Sequence, residues 1–272
     1  MLVKEIDVNE LKKVQLEMLE YFDAFCRKNK IRYWLDYGTL LGAIRHKGYI
    51  PWDDDVDVAM LREDYEKASR LFNKQSDGVY ILQTPTNNKE SCYPFGKLLN
   101  TRTVLYEYGE KGIKTSVYID VFVYDNAPED KETVKRIFRK RDLLGRIRRI
   151  KLPMRSGLSL SKRVLYVIGS VLLKPISMNK INRALDKNAR RFEKDKSLAN
   201  VSSFVDPYDT SYFSVAKSFF TDLTEVDFEG KKYLAPKKYD EWLRKIYGNY
   251  MEFPPVEKRV STHVFKAYYL DE

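Results

Sequence analysis

Four aspartates lie within five consecutive positions, and this cluster constrains the fold more than any other feature of the chain. Asp53, Asp54 and Asp55 are consecutive, and Asp57 follows after one valine. The apolar residues beyond them predict a strand over 55–61. Because side chains alternate between the faces of a strand, Asp55 and Asp57 point the same way. Two carboxylates so close repel each other unless a cation lies between them, which indicates a site for a hard cation.

A further acid lies in the middle of the segment with the strongest strand pattern, Val117–Tyr124 (VYIDVFVY). Asp120 is surrounded there by β-branched and aromatic residues. A buried carboxylate without a partner is unfavourable. Such a carboxylate is tolerated if Asp120 faces the same cation from a neighbouring strand. The alternative interpretation is that Asp120 forms a salt bridge on an edge strand.

A turn of small residues precedes the acidic cluster. A predicted short strand over 31–36 runs into Gly38 and Thr39, which open a predicted helix over 39–45. Backbone amides at a helix N-terminus favour phosphate. Taken alone, the turn, the acidic loop and the lone acid each have an ordinary structural explanation. Together, a glycine turn, an Asp-x-Asp pair and a third aspartate on a later strand form a much more specific pattern.

Apolar periodicity predicts helices and strands in mixed order along the rest of the chain. Asp7 is predicted to cap a long first helix, since Glu10 follows three residues later. A hairpin turn is predicted at Glu229 and Gly230. The remaining predicted strands lie over 79–83, 95–99 and 104–108. The remaining predicted helices lie over 63–73, 131–149, 159–174, 178–194 and 236–247.

Charge and cysteine content narrow the class of protein. The net charge is +10, but residues 131–196 carry 21 Lys and Arg against 5 Asp and Glu, a net of +16, which leaves −6 for the rest. Such a segment indicates a local electrostatic partner.

Cys26 and Cys92 are too few for a disulfide framework or a cysteine-rich zinc site, and we expect both to be reduced. We see no signal peptide, and the apolar run Val164–Leu173 is half the ~20 residues of a spanning helix.

The segment Gly38–Asp57 (GTLLGAIRHKGYIPWDDDVD) resembles a long motif of the LicD family, a group within the nucleotidyltransferase superfamily that is related to human fukutin. The resemblance continues in three further segments, Phe95–Thr103 (FGKLLNTRT), Tyr118–Phe122 (YIDVF) and Phe228–Pro255. Gly-Thr replaces the Gly-Ser of the wider superfamily. The cysteine-rich zinc loop of a human relative is absent from this sequence, so zinc is not implied.

The resemblance implies an α+β fold, with a nucleotidyltransferase-like mixed β-sheet core flanked by helices and a basic helical insertion. We expect a catalytic core over 1–128, a basic helical region over 129–200, and a hairpin and helix over 201–272 that complete the catalytic domain. The implied activity is transfer of phosphocholine from CDP-choline to a hydroxyl of a cell-surface glycan, of teichoic acid or lipopolysaccharide type, with release of CMP.

The resemblance also implies the roles of individual residues. Asp55, Asp57 and Asp120 are expected to be catalytic and to hold Mg²⁺ or Mn²⁺, with Asp120 as ligand, as general base, or as both. Substrate binding is expected from Gly38, Thr39, Arg45, His46, Trp52, Lys97 and Arg102. For Arg45 and His46, capping of the short helix is an equal alternative, and for Arg259 and His263 a plain surface contact is favoured. Aromatic faces recognise quaternary ammonium groups. Four aromatic residues near the motifs could either belong to the core or surround a choline group: Trp34, Tyr37, Trp52 and Tyr93.

The basic middle segment suggests where the enzyme works. Lys and Arg residues are attracted to an anionic leaflet. The expected partners are therefore the CDP-choline donor, a lipid-linked glycan acceptor and the inner face of the cytoplasmic membrane, on which the protein is peripheral. The alternative for this segment is a solvated helical bundle with Val164–Leu173 as its core.

Two other functions explain parts of the sequence. A related transferase would carry glycerol phosphate or ribitol phosphate from its own CDP donor. A nucleic-acid-binding protein would explain the basic segment, but it would leave the three placed aspartates without a purpose, because acids in a phosphate-binding cleft repel nucleic acid. We therefore expect no nucleic-acid partner.

Overall fold

A computed structural model describes residues 2–88, 91–107, 112–152, 160–206, 213–261 and 265–271. Its elements in chain order are β1 (Leu2–Ile6), α1 (Val8–Lys28), β2 (Trp34–Leu35), α2 (Tyr37–Arg45), β3 (Asp57–Leu61), α3 (Arg62–Gln75), β4 (Tyr80–Gln83), β5 (Gly96–Glu107), β6 (Ile113–Ala127), α4 (Lys131–Lys151), α5 (Leu160–Leu172), α6 (Met178–Ala189), β7 (Asn200–Ser202), β8 (Val215–Ala216), α7 (Ser218–Thr221), β9 (Leu223–Phe228), β10 (Lys231–Pro236), α8 (Tyr239–Tyr247) and β11 (Phe265–Leu270).

A mixed sheet of nine strands forms the centre of the molecule. Its main path runs β1-β11-β5-β6-β3-β2, with β4 paired to β5, and β7 and β8 extending the far end of β6. The pairing of β3 with β6 is parallel, whereas the other pairs of this sheet in the described residues are antiparallel. β9 and β10 form a separate hairpin. This mixed sheet with flanking helices confirms the α+β fold.

The first helix forms where its sequence pattern predicted it. The Asp7 carboxylate accepts a hydrogen bond from the Glu10 backbone amide at 2.9 Å, so Asp7 caps α1. The apolar stripe of α1, which includes Met18 and Phe22, is buried in the main core. Phe22 packs edge-on against Tyr33, with ring centroids 5.6 Å apart. The helix therefore covers one face of the sheet.

Three strand predictions need correction. The segments predicted as separate strands over 95–99 and 104–108 are one continuous strand, β5, with a bulge between Asn100 and Leu105. The strand predicted from Asp55 begins at Asp57, because pairing with β2 and β6 starts only there. β1 and β11 were not predicted at all. Both are short, and they pair with each other, with β1 at the edge of the sheet and β11 between β1 and β5.

The predicted hairpin is present near the C-terminus. Glu229 and Gly230 connect β9 to β10 with φ angles of 49° and 78°. Both lie in the left-handed region that a tight two-residue hairpin turn requires. The helix that follows, α8, ends at Tyr247, where the sequence predicted its end. Gly248 comes directly after it with a φ of 65°.

The middle of the chain is helical. α4 packs against α6 and also against α5. No helix in the described residues has the length and apolar character needed to cross a bilayer. Cys26 is buried and Cys92 half-buried, and both are free cysteines.

Candidate active site

The acidic cluster opens into a cavity of about 690 Å³ beside the parallel strand pair. Six aspartates line it together with Gly38, and its other walls include residues of α1, β5, β6 and the C-terminal third of the chain. Four of the six belong to the acidic cluster (Asp53, Asp54, Asp55 and Asp57), and the other two are Asp120 of β6 and Asp206. The three aspartates predicted to be catalytic therefore share one cavity.

Asp57 and Asp120 are neighbours across the parallel pair, in direct register between β3 and β6. The backbone amide of Asp57 donates to Thr39 Oγ1 at 2.8 Å. Thr39 of α2, a predicted substrate-binding residue, therefore holds the start of β3 in place. Burial raises the pKa of the Asp57 carboxyl well above its usual range, and the negative charges of Asp55, Asp120 and other acids raise it further. The site therefore concentrates negative charge.

Lys97 balances part of that charge. Its ammonium lies 2.6 Å from Asp120 Oδ1, and the lysine is only 2% exposed. The same ammonium lies 3.1 Å from the ring centroid of Tyr118 and 4.0 Å from that of Tyr93. Lys97 was predicted to bind substrate. It lies in the cavity wall, where it also forms the salt bridge that makes a half-buried Asp120 tolerable on a central strand.

Glu107 holds the two tyrosines that surround Lys97. The hydroxyls of Tyr93 and Tyr118 both donate to its carboxylate, the latter at 2.5 Å. Burial is the main cause that raises the pKa of both phenols, so both remain donors at neutral pH. Sequence reasoning missed Glu107. Its position near the end of a long strand carries no local signal of this role.

The helix that follows the glycine turn is fixed at its start by Asp36. This buried carboxylate accepts from the backbone amide of Tyr37 at 3.0 Å, from Trp242 Nε1 at 2.9 Å and from the Tyr124 hydroxyl at 2.8 Å. Burial raises the pKa of Asp36 in spite of these donors. Sequence reasoning missed Asp36 too, although an acid directly before a helix is a common N-cap signal.

Gly38 lies in the first turn of that helix and faces the acidic loop. A Cβ atom at Gly38 would lie 2.6 Å from Asp53 Oδ2, which is closer than real contacts allow. The absence of a side chain therefore lets the acidic loop approach the helix N-terminus. This is the geometry in which a glycine next to backbone amides suits a phosphate.

The other end of α2 holds a second cluster, away from the cavity lining. Arg45 donates to the carbonyl oxygen of Tyr250 at 2.7 Å and to that of Glu252 at 3.2 Å. His46 and Trp52 lie near each other, with ring centroids 6.3 Å apart. Three predicted binding residues, Arg45, His46 and Trp52, thus anchor the loop before the tail and do not line the cavity.

Two basic candidates lie elsewhere. Arg102 is exposed in the bulge of β5 and does not line the cavity. Arg259 lies over the Trp52 ring at 5.7 Å and donates to the Pro254 carbonyl oxygen, which agrees with a surface contact. His263 lies outside the described residues.

Aromatic rings form one wall of the cavity. Tyr37 packs edge-on against Phe122 at 5.1 Å, and Phe122 contacts Phe95 at 4.6 Å. The Tyr37 hydroxyl donates to Asp206 Oδ2 at 2.7 Å. Trp34, by contrast, is fully buried and stacks on Phe220 in the core. A wall of π faces with a nearby carboxylate suits a quaternary ammonium group.

The carboxylates also suit a hard divalent cation, because oxygen ligands are those that Mg²⁺ and Mn²⁺ prefer. Asp55 is half-buried just before β3, and Asp57 is buried at its start. In the parts of the chain that the structure describes, no three Asp, Glu, His or Cys side chains already converge on one point. Asp120 faces Lys97 instead. The carboxylate oxygens therefore suit a cation, but in the described residues they do not yet form a complete ligand set.

Comparison with known proteins agrees with this site. The family model for the nucleotidyltransferase domain of LicD, FKTN and FKRP matches residues 30–153, which contain the acidic cluster and Asp120. A Haemophilus influenzae protein named lipopolysaccharide cholinephosphotransferase LicD is 32% identical over 279 aligned residues, covering 98% of this chain and 100% of that protein. Human ribitol 5-phosphate transferase FKRP is 45% identical over 49 residues, which are 18% of this chain and 10% of FKRP.

Fold and site together define a phosphotransferase built on a nucleotidyltransferase domain. Since the similarity to the Haemophilus protein spans nearly the whole of both chains, this chain belongs to the LicD family.

Proposed function

We propose that this enzyme transfers phosphocholine from CDP-choline to a hydroxyl of a cell-surface glycan, of teichoic acid or lipopolysaccharide type, and releases CMP. The observation that carries the proposal is the cavity that Asp55, Asp57 and Asp120 share with an aromatic wall. The named activity of the Haemophilus relative, a cholinephosphotransferase, supports the choice of cargo.

The reaction is a displacement at phosphorus. The oxygen of the acceptor hydroxyl attacks the phosphorus of the phosphocholine group, the bond from that phosphorus to the bridging oxygen breaks, and CMP leaves with the electron pair. Mg²⁺ or Mn²⁺, held by Asp55, Asp57 and Asp120, would neutralise the diphosphate charge. Asp120 lies next to Asp57 and either takes the hydroxyl proton or completes the ligand set.

Other residues of the cavity bind and orient the donor. The backbone amides at the start of α2, beside Gly38, would donate hydrogen bonds to phosphate oxygens, and Thr39 holds Asp57 in position. Lys97 orients the Asp120 carboxylate through their salt bridge. The Tyr37 and Phe122 rings, with the Asp206 carboxylate, are the proposed surroundings of the choline ammonium.

The acceptor and the location follow from the charge of the middle segment. We place the enzyme peripherally on the inner face of the cytoplasmic membrane, where it would meet a lipid-linked glycan. The net charge of +16 over 131–196 supports this location. In this proposal, residues 1–128 and 201–272 form the catalytic domain, and 129–200 are the basic helical region.

A second cargo has its own support. The 49-residue match to a ribitol 5-phosphate transferase leaves open a CDP-ribitol or CDP-glycerol donor for the same site. The aromatic wall favours choline, because an uncharged polyol gains nothing from cation–π contacts.

The proposal is tested by incubating the purified protein with CDP-choline and Mg²⁺, with and without EDTA, and measuring CMP by chromatography. We expect CMP release that EDTA abolishes and that Asp57→Asn lowers by about 100-fold or more. Asp195→Asn, at an exposed aspartate outside the cavity lining, is the matched control and should leave the rate unchanged.

Donor and acceptor specificity need two further arms. The same assay with CDP-ribitol and CDP-glycerol identifies the cargo, and faster turnover of either would overturn the choline assignment. A lipid-linked glycan is added as acceptor in a parallel series. Absence of metal-dependent CMP release from every donor, with that acceptor present, would refute the transferase.

A further inference from the structure

The helix α5 presents an apolar face to solvent. Five of its side chains are between 50% and 73% exposed: Val164, Leu165, Ile168, Val171 and Leu172. Their spacing places them on one side of the helix. The alternative interpretation, in which this segment is the core of a solvated bundle, does not agree with this exposure. An exposed face of this size marks an interaction site.

Another side of α5 packs on α4. A Cβ atom at Gly169 would lie 3.0 Å from a side-chain carbon of Ile150 on α4, so the two helices are in close contact there. The Lys151 ammonium donates to the Leu173 carbonyl oxygen at 2.9 Å and so caps the C-terminal end of α5. The orientation of the exposed face is thus set by packing on α4.

Basic side chains border this face. Arg146 and Arg149 of α4 line a small surface cavity together with Leu165 and Tyr166 of α5. Both arginines are exposed, as is Lys174 just beyond the helix. An apolar stripe bordered by positive charge is complementary to an anionic lipid surface, where the apolar groups enter the acyl boundary and the cations meet phosphates.

The same helix pair reaches the wall of the cavity. Arg148, one residue before Arg149, donates through Nε to the Cys92 carbonyl oxygen at 2.9 Å. Its guanidinium also lies 5.7 Å from the ring centroid of Tyr93, which lines the cavity next to Lys97. The exposed face of α5 is therefore separated from the cavity wall by the C-terminal turns of α4.

We propose that the exposed face of α5, with Arg146 and Arg149, is a docking surface for an anionic lipid bilayer. The helix lies in the plane of the interface, since at 13 residues it is too short to span it. This goes beyond the transferase chemistry and names the element that would carry the enzyme to a lipid-linked acceptor. Only the statement that α5 carries the enzyme to a lipid-linked acceptor rests on the proposed function.

The test is sedimentation of the full chain with vesicles of phosphatidylglycerol and phosphatidylcholine, and with phosphatidylcholine alone. We expect binding to the anionic vesicles only. Leu165→Asp with Leu172→Asp should lower the bound-to-free ratio by about tenfold or more. Arg146→Glu with Arg149→Glu should do the same, more strongly at low salt than at high salt.

Val3→Asp with Val256→Asp is the matched control, since these valines are 60% and 71% exposed away from α5. This control should bind vesicles like the parent protein, and circular dichroism checks that every variant is folded. Equal vesicle binding by parent and α5 variants would overturn the proposal. So would a stable dimer that the α5 substitutions dissociate, because a second copy would then cover the face.

CMP release from CDP-choline without vesicles separates this proposal from the transferase. The α5 variants should retain the parent rate there. Loss of vesicle binding with that rate intact supports the docking surface, whereas vesicle binding by a protein that turns over no donor would leave the surface in place and remove only the transferase.

Discussion

At the scale of single residues, Lys97 controls the charge balance of the site. It faces Asp120 at 2.6 Å between two tyrosine rings and is 2% exposed. With Lys97→Met, Asp120 faces the other acids without its cation, so we expect CMP release to fall at least about tenfold. Lys114→Met, at an exposed lysine of β6, is the control and should behave like the parent. A fully active Lys97→Met protein would contradict this role.

Gly38 provides a second prediction at this scale. With Gly38→Ala, the new Cβ would meet Asp53 Oδ2, so that carboxylate must shift away from the start of α2. We expect a lower rate of CMP release with little change in melting temperature. Gly145→Ala on α4 is the matched control, because a Cβ there meets no atom within 4 Å. That control should raise helix stability by about 1 kcal/mol and leave the rate unchanged.

At the scale of elements, a buried ion pair joins α3 to β6. Arg62 donates to both carboxylate oxygens of Asp125, at 2.7 and 2.9 Å, and its Nη1 also lies 3.0 Å from Asp186 of α6. Arg62 is 7% exposed and Asp125 fully buried. Arg62 therefore connects the end of β6 to both α3 and α6.

Asp125→Ala would leave the Arg62 guanidinium buried without its main partner. We expect the free energy of unfolding in urea to fall by about 3–5 kcal/mol. Asp222→Ala, which removes the exposed partner of Lys237, is the comparison and should have no measurable effect. Equal effects of the two substitutions would show that burial does not determine the strength of the Arg62 pair.

At the scale of the whole molecule, the C-terminal third of the chain lines part of the cavity. Trp242 of α8 donates to Asp36, 206 positions earlier, and so connects the last helix to the start of α2. β11 is inserted between β1 and β5. Strands from both the N-terminal and the C-terminal segment therefore belong to the central sheet.

Trp242→Phe removes one of the donors to the buried Asp36 carboxylate. We expect a loss of about 1–3 kcal/mol in the free energy of unfolding, together with slower CMP release. Tyr233→Phe is the control at another buried aromatic residue, since the Tyr233 hydroxyl has no hydrogen-bond partner among the described residues. Removing that hydroxyl should be neutral or stabilising. A Trp242→Phe protein as stable as the parent would refute the coupling.

The candidate site was partly predictable. Asp55, Asp57, Asp120, Gly38 and Lys97 were singled out from motifs, and all five line the cavity. Arg45, His46, Trp52 and Arg102 carried the same kind of signal but lie outside its lining. A basic residue close to a motif in sequence can point away from it in space, because the direction of its side chain depends on what α2 and the bulge of β5 pack against.

The sequence alone determined the features that a few consecutive residues control: the Asp7 cap, the Glu229–Gly230 turn and the stripe of α1. Capping and periodicity depend on neighbours one to four positions away, so they can be read locally. Only the tertiary structure decided the register of Asp57 with Asp120, and the exposure of α5. Those features depend on which distant segments pair or remain uncovered, and the free energy that selects them comes from burying the whole sheet.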